Sequence, residues 1–343
     1  MSEQGKTEVR CTPIVVALLA LGLSACGNDG GVGAGAGGGI ASVGTATERA
    51  ATVNLLVASL GQIRSVAGTG GTAKNFENGQ CDQGSRMADS ESGKSVGSPY
   101  SEQGFDVAGE AFSACRLNAD FDNSGSADDY LEFDGRSEAG SVEEAEGIVS
   151  YVRIGANSDT PLGITIHLES EQGGVMINQD FAYNITLLSH GLASSQDSEQ
   201  QLFMRLQGGI SQGAGSFDFE SLLGTSEDSA ERFAISNRSD GLRIDGSYSL
   251  NFTPEIPNTQ CSGTTTVTTD VPLVADGAGY SAGQFSLDSN GDTATVIFND
   301  DSTVSVTVDG STETIDQSEF RAAAGPCAGF VLAGFGFVNA AGR

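Results

Sequence analysis

The feature that most constrains the fold of this chain is a series of short runs in which apolar and polar residues alternate, beginning at Ile148. Examples are GITIHLE, QLFMRLQ and STVSVTV, and alternation with a period of two is typical of a half-buried β-strand. Turn residues separate such runs at Asn290-Gly291, Asn299-Asp300-Asp301 and Asp309-Gly310. Because tight hairpins need positive φ, which Asn, Asp and Gly adopt at low cost, these turns predict antiparallel hairpins. We therefore expect a mainly β fold whose meander and hairpin sheets form a sandwich or a partly open barrel.

One segment departs from this β pattern. The chain holds 48 Gly and no Trp, and helix-forming residues become scarce after about residue 66. Before that point, Val53, Leu56, Leu60 and Ile63 form one apolar stripe at helical spacing. The spacing predicts one N-terminal amphipathic helix over residues 46–66 that packs on the sheet.

Two stretches of the body resemble each other, YLEFDGR at Tyr130 to Arg136 and GLRIDGS at Gly241 to Ser247. In each, Asp-Gly follows an apolar residue. The similarity favours a β-rich domain over 67–343 that contains two related modules, at about 75–230 and 231–343. A chance match between such simple strings is the alternative.

The first 45 residues predict an export signal followed by a tether. PIVVALLALGL, from Pro13 to Leu23, is an apolar run of 11 residues, which is shorter than the ~20 that cross a bilayer as a helix. Arg10 precedes the run, and the small residues Ser24 and Ala25 close it, as in a secretory signal peptide. We predict a signal peptide over 1–25 and a flexible Gly-rich tether over 26–45.

Leu23-Ser24-Ala25-Cys26 resembles the lipobox of bacterial lipoprotein precursors. The resemblance implies cleavage before Cys26, which then carries a thioether-linked lipid and an acyl chain, such as palmitate, on its new amine. Several acyl chains anchor a protein stably to a membrane. Gly27 stands where an Asp commonly retains such lipoproteins in the inner membrane, so the resemblance implies the outer membrane, on its periplasmic face or at the cell surface. A buried thiol in an ordinary helix is the alternative for Cys26.

The formal net charge of the chain is -29 at pH 7. Such a polyanion repels phosphate backbones and anionic lipid head groups, which argues against nucleic acid as a partner. A solvated acidic surface suited to salty surroundings and a cation-binding surface both fit this charge. With its tether, cysteines and Asp-Gly hairpins, the body resembles uncharacterised acidic lipoproteins of marine proteobacteria, and this resemblance implies no activity.

Four cysteines belong to the body of the chain: Cys81, Cys115, Cys261 and Cys327. An even number in an exported protein predicts disulfides. Of the three possible connectivities, we favour Cys81 with Cys115 and Cys261 with Cys327, because these pairs close the shorter loops. A zinc site is the weaker alternative, since no C-x-x-C spacing occurs.

The segment DFDNSGSADDYLE aligns with the calcium-binding loop of an EF-hand through Asp120, Asp122, Ser124 and Asp128. The twelfth position of such a loop is Leu131 here instead of Glu, and no flanking helices are predicted. We therefore expect no cofactor other than weakly bound Ca²⁺ at these four residues. A plain acidic turn between two strands is the alternative.

The catalytic patterns in the chain are weak. Ser211 lies in a GxSxG match, but the strand-like AGSFDFE follows it where a hydrolase nucleophile elbow needs a helix. Strand alternation predicts that His167 faces solvent, and the glycine after His190 predicts that this histidine ends a strand at a turn. Carboxylate pairs such as Glu143 and Glu144 are expected by chance in so acidic a chain. We expect no enzymatic activity.

Together these expectations describe a lipid-anchored envelope protein with a structural or binding role. Its partner would be an envelope protein, a glycan or an apolar ligand. The first alternative is a carrier of a lipid or other apolar ligand in a half-open β-barrel. A hydrolase and a Ca²⁺-dependent adhesion module are weaker alternatives.

Overall fold

The computed structural model describes Ala46 and residues 81–89, 91–94, 104–120, 125–172, 175–212, 215–253, 263–275, 279–289 and 291–322. These residues form one antiparallel sheet of sixteen strands, with a 3₁₀ turn at Ser229–Glu231 and a short helix, α1, at Gln317–Ala322. The predicted mainly β, antiparallel fold is confirmed.

The first eight strands are β1 Gln83–Ala88, β2 Glu91–Lys94, β3 Phe105–Ala119, β4 Asp129–Glu144, β5 Gly147–Ile154, β6 Leu162–Gln172, β7 Val175–Ala193 and β8 Ser198–Gln212. The other eight are β9 Gly215–Leu223, β10 Phe233–Arg238, β11 Gly241–Thr253, β12 Gly263–Ala275, β13 Tyr280–Ser289, β14 Asp292–Phe298, β15 Thr303–Val308 and β16 Ser311–Asp316.

The strands follow one another across the sheet in chain order, as an up-and-down meander. Three positions in the sheet each hold two strands end to end. These are β1 and β2 beside β3, β5 and β6 between β4 and β7, and β9 and β10 between β8 and β11. The path ends at β1 and β16, and no pairing joins these two edges in the described part of the chain, so the sheet is not a closed barrel.

One face of the sheet, the core face, holds the main hydrophobic cluster, which extends from β5 to β16. The alternation predicted from sequence positions it: Leu162, Ile164 and Ile166 of β6 are all buried on this face. Successive side chains of a strand point to opposite sides, so the residues between them face the other way. That other side is called the second face below.

The tight turns near the carboxyl end agree with the hairpin prediction. Asp309 and Gly310 both have positive φ, 49° and 77°, between β15 and β16. Gly291 has φ of 90° at the start of the β14 hairpin strand. Between β14 and β15, however, the positive φ of 64° belongs to Ser302, because the Asp301 carboxylate accepts the Thr303 backbone N–H.

The two similar stretches occupy equivalent places beside the interrupted strand positions. Gly135 of β4 has φ of 129° and lies against Leu162, where β6 starts, while Gly246 of β11 has φ of 141° and lies against Phe233, where β10 starts. A Cβ at either glycine would come within 3.0 Å of these neighbours. The repeated Asp-Gly therefore accommodates an interruption in the adjacent strand. In the chain, β4 comes before its interrupted neighbour, which is β5 with β6. By contrast, β11 comes after its interrupted neighbour, which is β9 with β10.

Both interruptions are insertions that fold over the second face, residues 155–161 between β5 and β6 and residues 224–232 between β9 and β10. They flank the β7–β8 hairpin, and Arg153 of β5 bridges them: its Nε donates to the Ala156 carbonyl at 2.7 Å, and its Nη2 donates to the Glu227 carboxylate at 2.9 and 3.1 Å. Under the insertions, Thr186 and Leu188 are buried on the second face. This part of the sheet is therefore covered on both sides.

Several predictions concern residues outside the described ranges. The predicted signal peptide, the predicted lipidation site Cys26 and the predicted tether lie outside them, as does the predicted 46–66 helix apart from Ala46, which is helical and packs in the core cluster. The predicted module boundary near residue 231 falls in the second insertion, and β10 pairs with both β8 and β11 there. The division into two modules stays a prediction.

Candidate functional site

The uncovered part of the second face carries a row of polar side chains that crosses four strands. Strand register aligns Asn184 of β7, Gln207 of β8, Glu220 of β9 and Asn251 of β11. Neighbouring strands lie ~4.8 Å apart, so the row is about 14 Å long. Asn184 and Asn251 are exposed, which leaves their amides accessible to a ligand.

Small residues lie beside this row and form the floor of a groove. Ala182 of β7 pairs with Gly209 of β8, which pairs with Asp218 of β9. The groove has a volume of about 470 Å³ and is lined by these residues, the polar row and Arg205. Gly209 and Ala182 project little from the sheet, so the larger polar side chains beside them form the walls of the groove.

Arg205 and Glu220, two of the three charged residues that line the groove, bind one another, and the third is the exposed carboxylate of Asp218. Arg205 Nε donates to Glu220 Oε1 at 2.6 Å, and the Gln207 amide donates to the same oxygen at 3.1 Å. At the end of the row, the Asn251 Oδ1 atom accepts the backbone N–H of Gly263 at 3.3 Å, which orients its amide nitrogen outward. Shared partners of this kind hold the side chains of the row in defined orientations.

One border of the groove is an aromatic and ionic cluster on β4, β6 and β7. The His167 ring stacks on Tyr130 at 4.9 Å between centroids, and the Arg116 guanidinium lies 3.8 Å from the centroid of Tyr130. His167 Nδ1 is 2.6 Å from Asp180, and its Nε2 is 3.2 Å from Glu169. Asp180 is two residues from the floor residue Ala182, so this cluster bounds the groove directly.

The carboxylates around His167 control its protonation. Burial by itself favours the neutral imidazole, but the hydrogen bonds with Asp180 and Glu169 outweigh it and raise the pKa of His167. The ring lies on the second face, opposite the core, as strand alternation predicts, but its side chain is only 15% exposed, so it is largely covered where the prediction had it facing solvent. Both ring nitrogens are engaged by carboxylates, so the arrangement suits a structural ion pair better than a catalytic base.

The opposite border is formed by the two insertions and a buried polar network beneath them. His190 is fully buried, and Arg232 Nη1 lies 2.8 Å from its Nδ1. Because an arginine has no acceptor, Nδ1 must accept this hydrogen bond, and the imidazole is neutral with its proton on Nε2. Arg232 Nε also donates to the Glu227 carbonyl, which links the network to the contact between the insertions. The prediction that His190 ends a strand at a turn is wrong, since it lies within β7.

A buried carboxylate, that of Glu138, lies further along the second face. Glu138 of β4 accepts hydrogen bonds from the Lys94 ammonium at 2.6 and 2.7 Å, from the Tyr151 hydroxyl at 2.7 Å and from Arg136 at 2.8 Å. Burial favours protonation of this carboxyl, but the contacts with Lys94, Tyr151 and Arg136 outweigh it and lower the pKa of Glu138. Burial and the neighbouring carboxylate in turn raise the pKa of Tyr151. The network ties β2 to β4 and β5.

The cysteine prediction is confirmed for one pair. Cys81 and Cys115 form a disulfide that joins a point two residues before β1 to β3. Cys261 and Cys327 lie outside the described residues, so their pairing stays a prediction.

The predicted calcium ligands are only partly described. Asp120 and Asp128 are exposed, and Asp120 Oδ2 accepts the backbone N–H of Gly125 at 2.9 Å, while Asp122 and Ser124 lie outside the described residues. The turn-stabilising role of Asp120 is the contact expected of an acidic turn. Within the described ranges, no group of three or more His, Cys, Asp or Glu side chains could hold a metal ion.

Register separates the residues of the weak catalytic patterns. Asp180 lies between His167 and Ser211, because it pairs with both of them, so the serine and the histidine are two strand spacings, about 10 Å, apart. Glu143 and Glu144 are consecutive in β4, so their side chains point to opposite faces. Neither set converges on one reacting position.

Sequence reasoning missed the groove residues. Their polar identity is visible as alternate positions of β7, β8 and β9, but alignment into a row depends on register across four strands.

No helix in the described part of the chain is long and apolar enough to cross a membrane. No family model, curated protein or solved structure matches this chain.

Proposed function

We propose that this protein is a lipid-anchored envelope protein that binds a polar ligand in the groove of its second face. Cys26 carries the lipid anchor in the outer membrane, and the tether over 26–45 separates the sheet from the membrane surface. The disulfide between Cys81 and Cys115 supports export, since disulfides persist in oxidising compartments outside the cytosol.

The observation that carries the binding role is the row of Asn184, Gln207, Glu220 and Asn251 beside a floor of small residues. A concave surface with convergent polar groups is the default location for a ligand. Its polar lining favours a polar ligand over the apolar ligand of a lipid carrier. The internally partnered carboxylates and histidine favour binding over catalysis.

The binding role is tested by filling the groove. Ala182 is exposed on the groove floor, and Ala193 is exposed near the end of the same strand, so Ala182→Trp and Ala193→Trp form a matched pair. We expect unlipidated wild-type protein and Ala193→Trp to sediment with washed bacterial envelopes, and Ala182→Trp to stay in the supernatant. Equal sedimentation of the two variants, or no sedimentation of the wild type, would overturn the binding role.

Anchoring is tested separately in cells. Cys26→Ser should leave a longer, unlipidated precursor that does not incorporate labelled palmitate. Normal processing and labelling of this variant would contradict the lipid anchor without affecting the binding experiment.

A further inference from the structure

We infer that the ligand of the groove is a neutral, hydroxyl-rich glycan chain that lies across the strands; this inference rests on the binding function proposed above. The first reason is the charge of the groove. Arg205 and Glu220 form an ion pair within it, and His167 at its border is paired with Asp180 and Glu169. Arg205 is therefore compensated inside the site, and the remaining charge of the lining is the exposed Asp218 carboxylate, which disfavours an anionic ligand.

The groups that remain toward a ligand are mainly amides. Gln207 spends one N–H on Glu220 and Asn251 spends one lone pair on the Gly263 N–H, so each of these amides, like that of Asn184, still has a donor and an acceptor to offer. A sugar hydroxyl is likewise both a donor and an acceptor. A phosphate or an acidic polysaccharide would gain no cationic partner here, because Arg205 already binds Glu220. It would also approach a chain of net charge -29, which repels anions at long range.

The orientation of the row argues against a peptide. An extended peptide binds a sheet by hydrogen bonding to the free backbone of an edge strand. In the groove, β7, β8 and β9 are interior strands whose backbone groups pair with neighbours on both sides. The row also runs perpendicular to the strands and presents polar side chains, without apolar pockets for alternate residues. A chain that offers hydroxyl groups along its length fits this arrangement.

The aromatic rings near the groove do not offer a stacking platform. The Tyr130 ring is covered by His167 and by Arg116, and Phe219, which also lines the groove, is only 5% exposed. Recognition would thus depend on hydrogen bonds that replace hydrogen bonds to water, and each such replacement contributes only a small net free energy of binding. We expect modest affinity for each sugar, and affinity that rises with the length of the glycan.

The experiment measures retardation of the purified protein in native gels that contain dextran, laminarin or galactan as neutral probes, and alginate or chitosan as charged probes. We expect at least one neutral polysaccharide to retard the protein, with little change between low and high salt, and alginate to have no effect. Asn184→Ala combined with Gln207→Ala should weaken this retardation at least tenfold. Asn237→Ala removes an exposed amide from β10 and should leave it unchanged.

Three outcomes would overturn the glycan inference: no retardation by any neutral probe; stronger retardation by alginate, or by chitosan at high salt, where non-specific attraction to the chain of net charge -29 is screened; or equal losses in the Asn237→Ala control and the double variant. The envelope experiment separates this failure from that of the proposed function. If Ala182→Trp abolishes envelope binding while the neutral probes fail, the groove binds a different polar ligand. If Ala182→Trp and Ala193→Trp bind envelopes equally, the proposed function itself is wrong.

Discussion

Replacing Gly208 with alanine tests how the Phe219 ring packs against β8. Gly208 and Phe219 are cross-strand partners, and the ring lies where a side chain at position 208 would project toward the core face. A Cβ there would lie 2.5 Å from Cζ of Phe219, closer still to its Cε1, and 3.0 Å from Cδ1 of Tyr183. Ordinary carbon contacts are about 3.5 to 4.0 Å, so the ring must move by about 1 Å.

Both rings have little room to move. Phe219 is 5% exposed and Tyr183 is 3% exposed, and their centroids are 6.2 Å apart in an edge-to-face contact. Overpacking a filled core costs about 1 to 3 kcal/mol, and a Gly-to-Ala change in a strand returns about 0.5 to 1 kcal/mol of backbone entropy. The difference leaves a net loss, and we expect Gly208→Ala to lower the free energy of unfolding by about 1 kcal/mol, or the melting temperature by about 2 to 4 °C.

The physical reason is checked by repeating the change without the ring. Phe219→Ala alone should cost about 3 to 5 kcal/mol. In that background, Gly208→Ala should be neutral or stabilise by up to about 1 kcal/mol, because the added methyl then enters space left by the ring. Urea unfolding of the four proteins, with unchanged m-values, measures this coupling. An equal cost of Gly208→Ala in both backgrounds would refute the reasoning.

Three further perturbations address the ionic and covalent contacts. Charged His167 stabilises the fold because its pKa is raised, so its contribution is complete below about pH 6.5 and is lost as the pH rises through the raised value. The stability lost in His167→Gln should then be larger at about pH 5 than at about pH 9, and equal losses in urea titrations would contradict the ion pairing. Lys94→Met removes the ammonium from Glu138, whose side chain is 4% exposed, and should cost about 1 to 3 kcal/mol in urea unfolding at neutral pH. That loss should shrink in acid as Glu138 protonates, and a pH-independent loss would argue against the ion pair. Replacing Cys81 and Cys115 together by serine opens a loop with a sequence separation of 34 and should cost about 4 kcal/mol, measured against the oxidised wild type. A loss under about 1 kcal/mol would mean that the disulfide hardly constrains the unfolded chain.

Local sequence patterns were sufficient where the structure depends on local contacts. Leu162, Ile164 and Ile166 alternate in the chain and line the core face in the sheet. Asp309-Gly310 forms the tight turn that its positive-φ residues predict. The Cys81–Cys115 pairing was accessible from loop length alone.

His190 shows why the other predictions failed. The following Gly191 suggested a turn, yet this glycine lies within β7, where a Cβ would come 2.8 Å from Ser150 Oγ on the neighbouring strand. The glycine therefore serves a close approach between strands. Burial of His190 depends on Arg232, which lies in the insertion after β9, two strands later in the chain. No local sequence pattern around either residue predicts this contact.

By itself, the sequence determined the β class, the hairpins near the carboxyl end and the alternation of core residues in strands such as β6, because alternation and turn chemistry act between residues that are close in the chain. Tertiary structure alone decided which polar residues lie together. Asn184, Gln207, Glu220 and Asn251 come from four strands, and a shift of one residue in any pairing would turn that residue toward the core. The groove, and the two insertions that bound it, are therefore properties of register across the whole sheet.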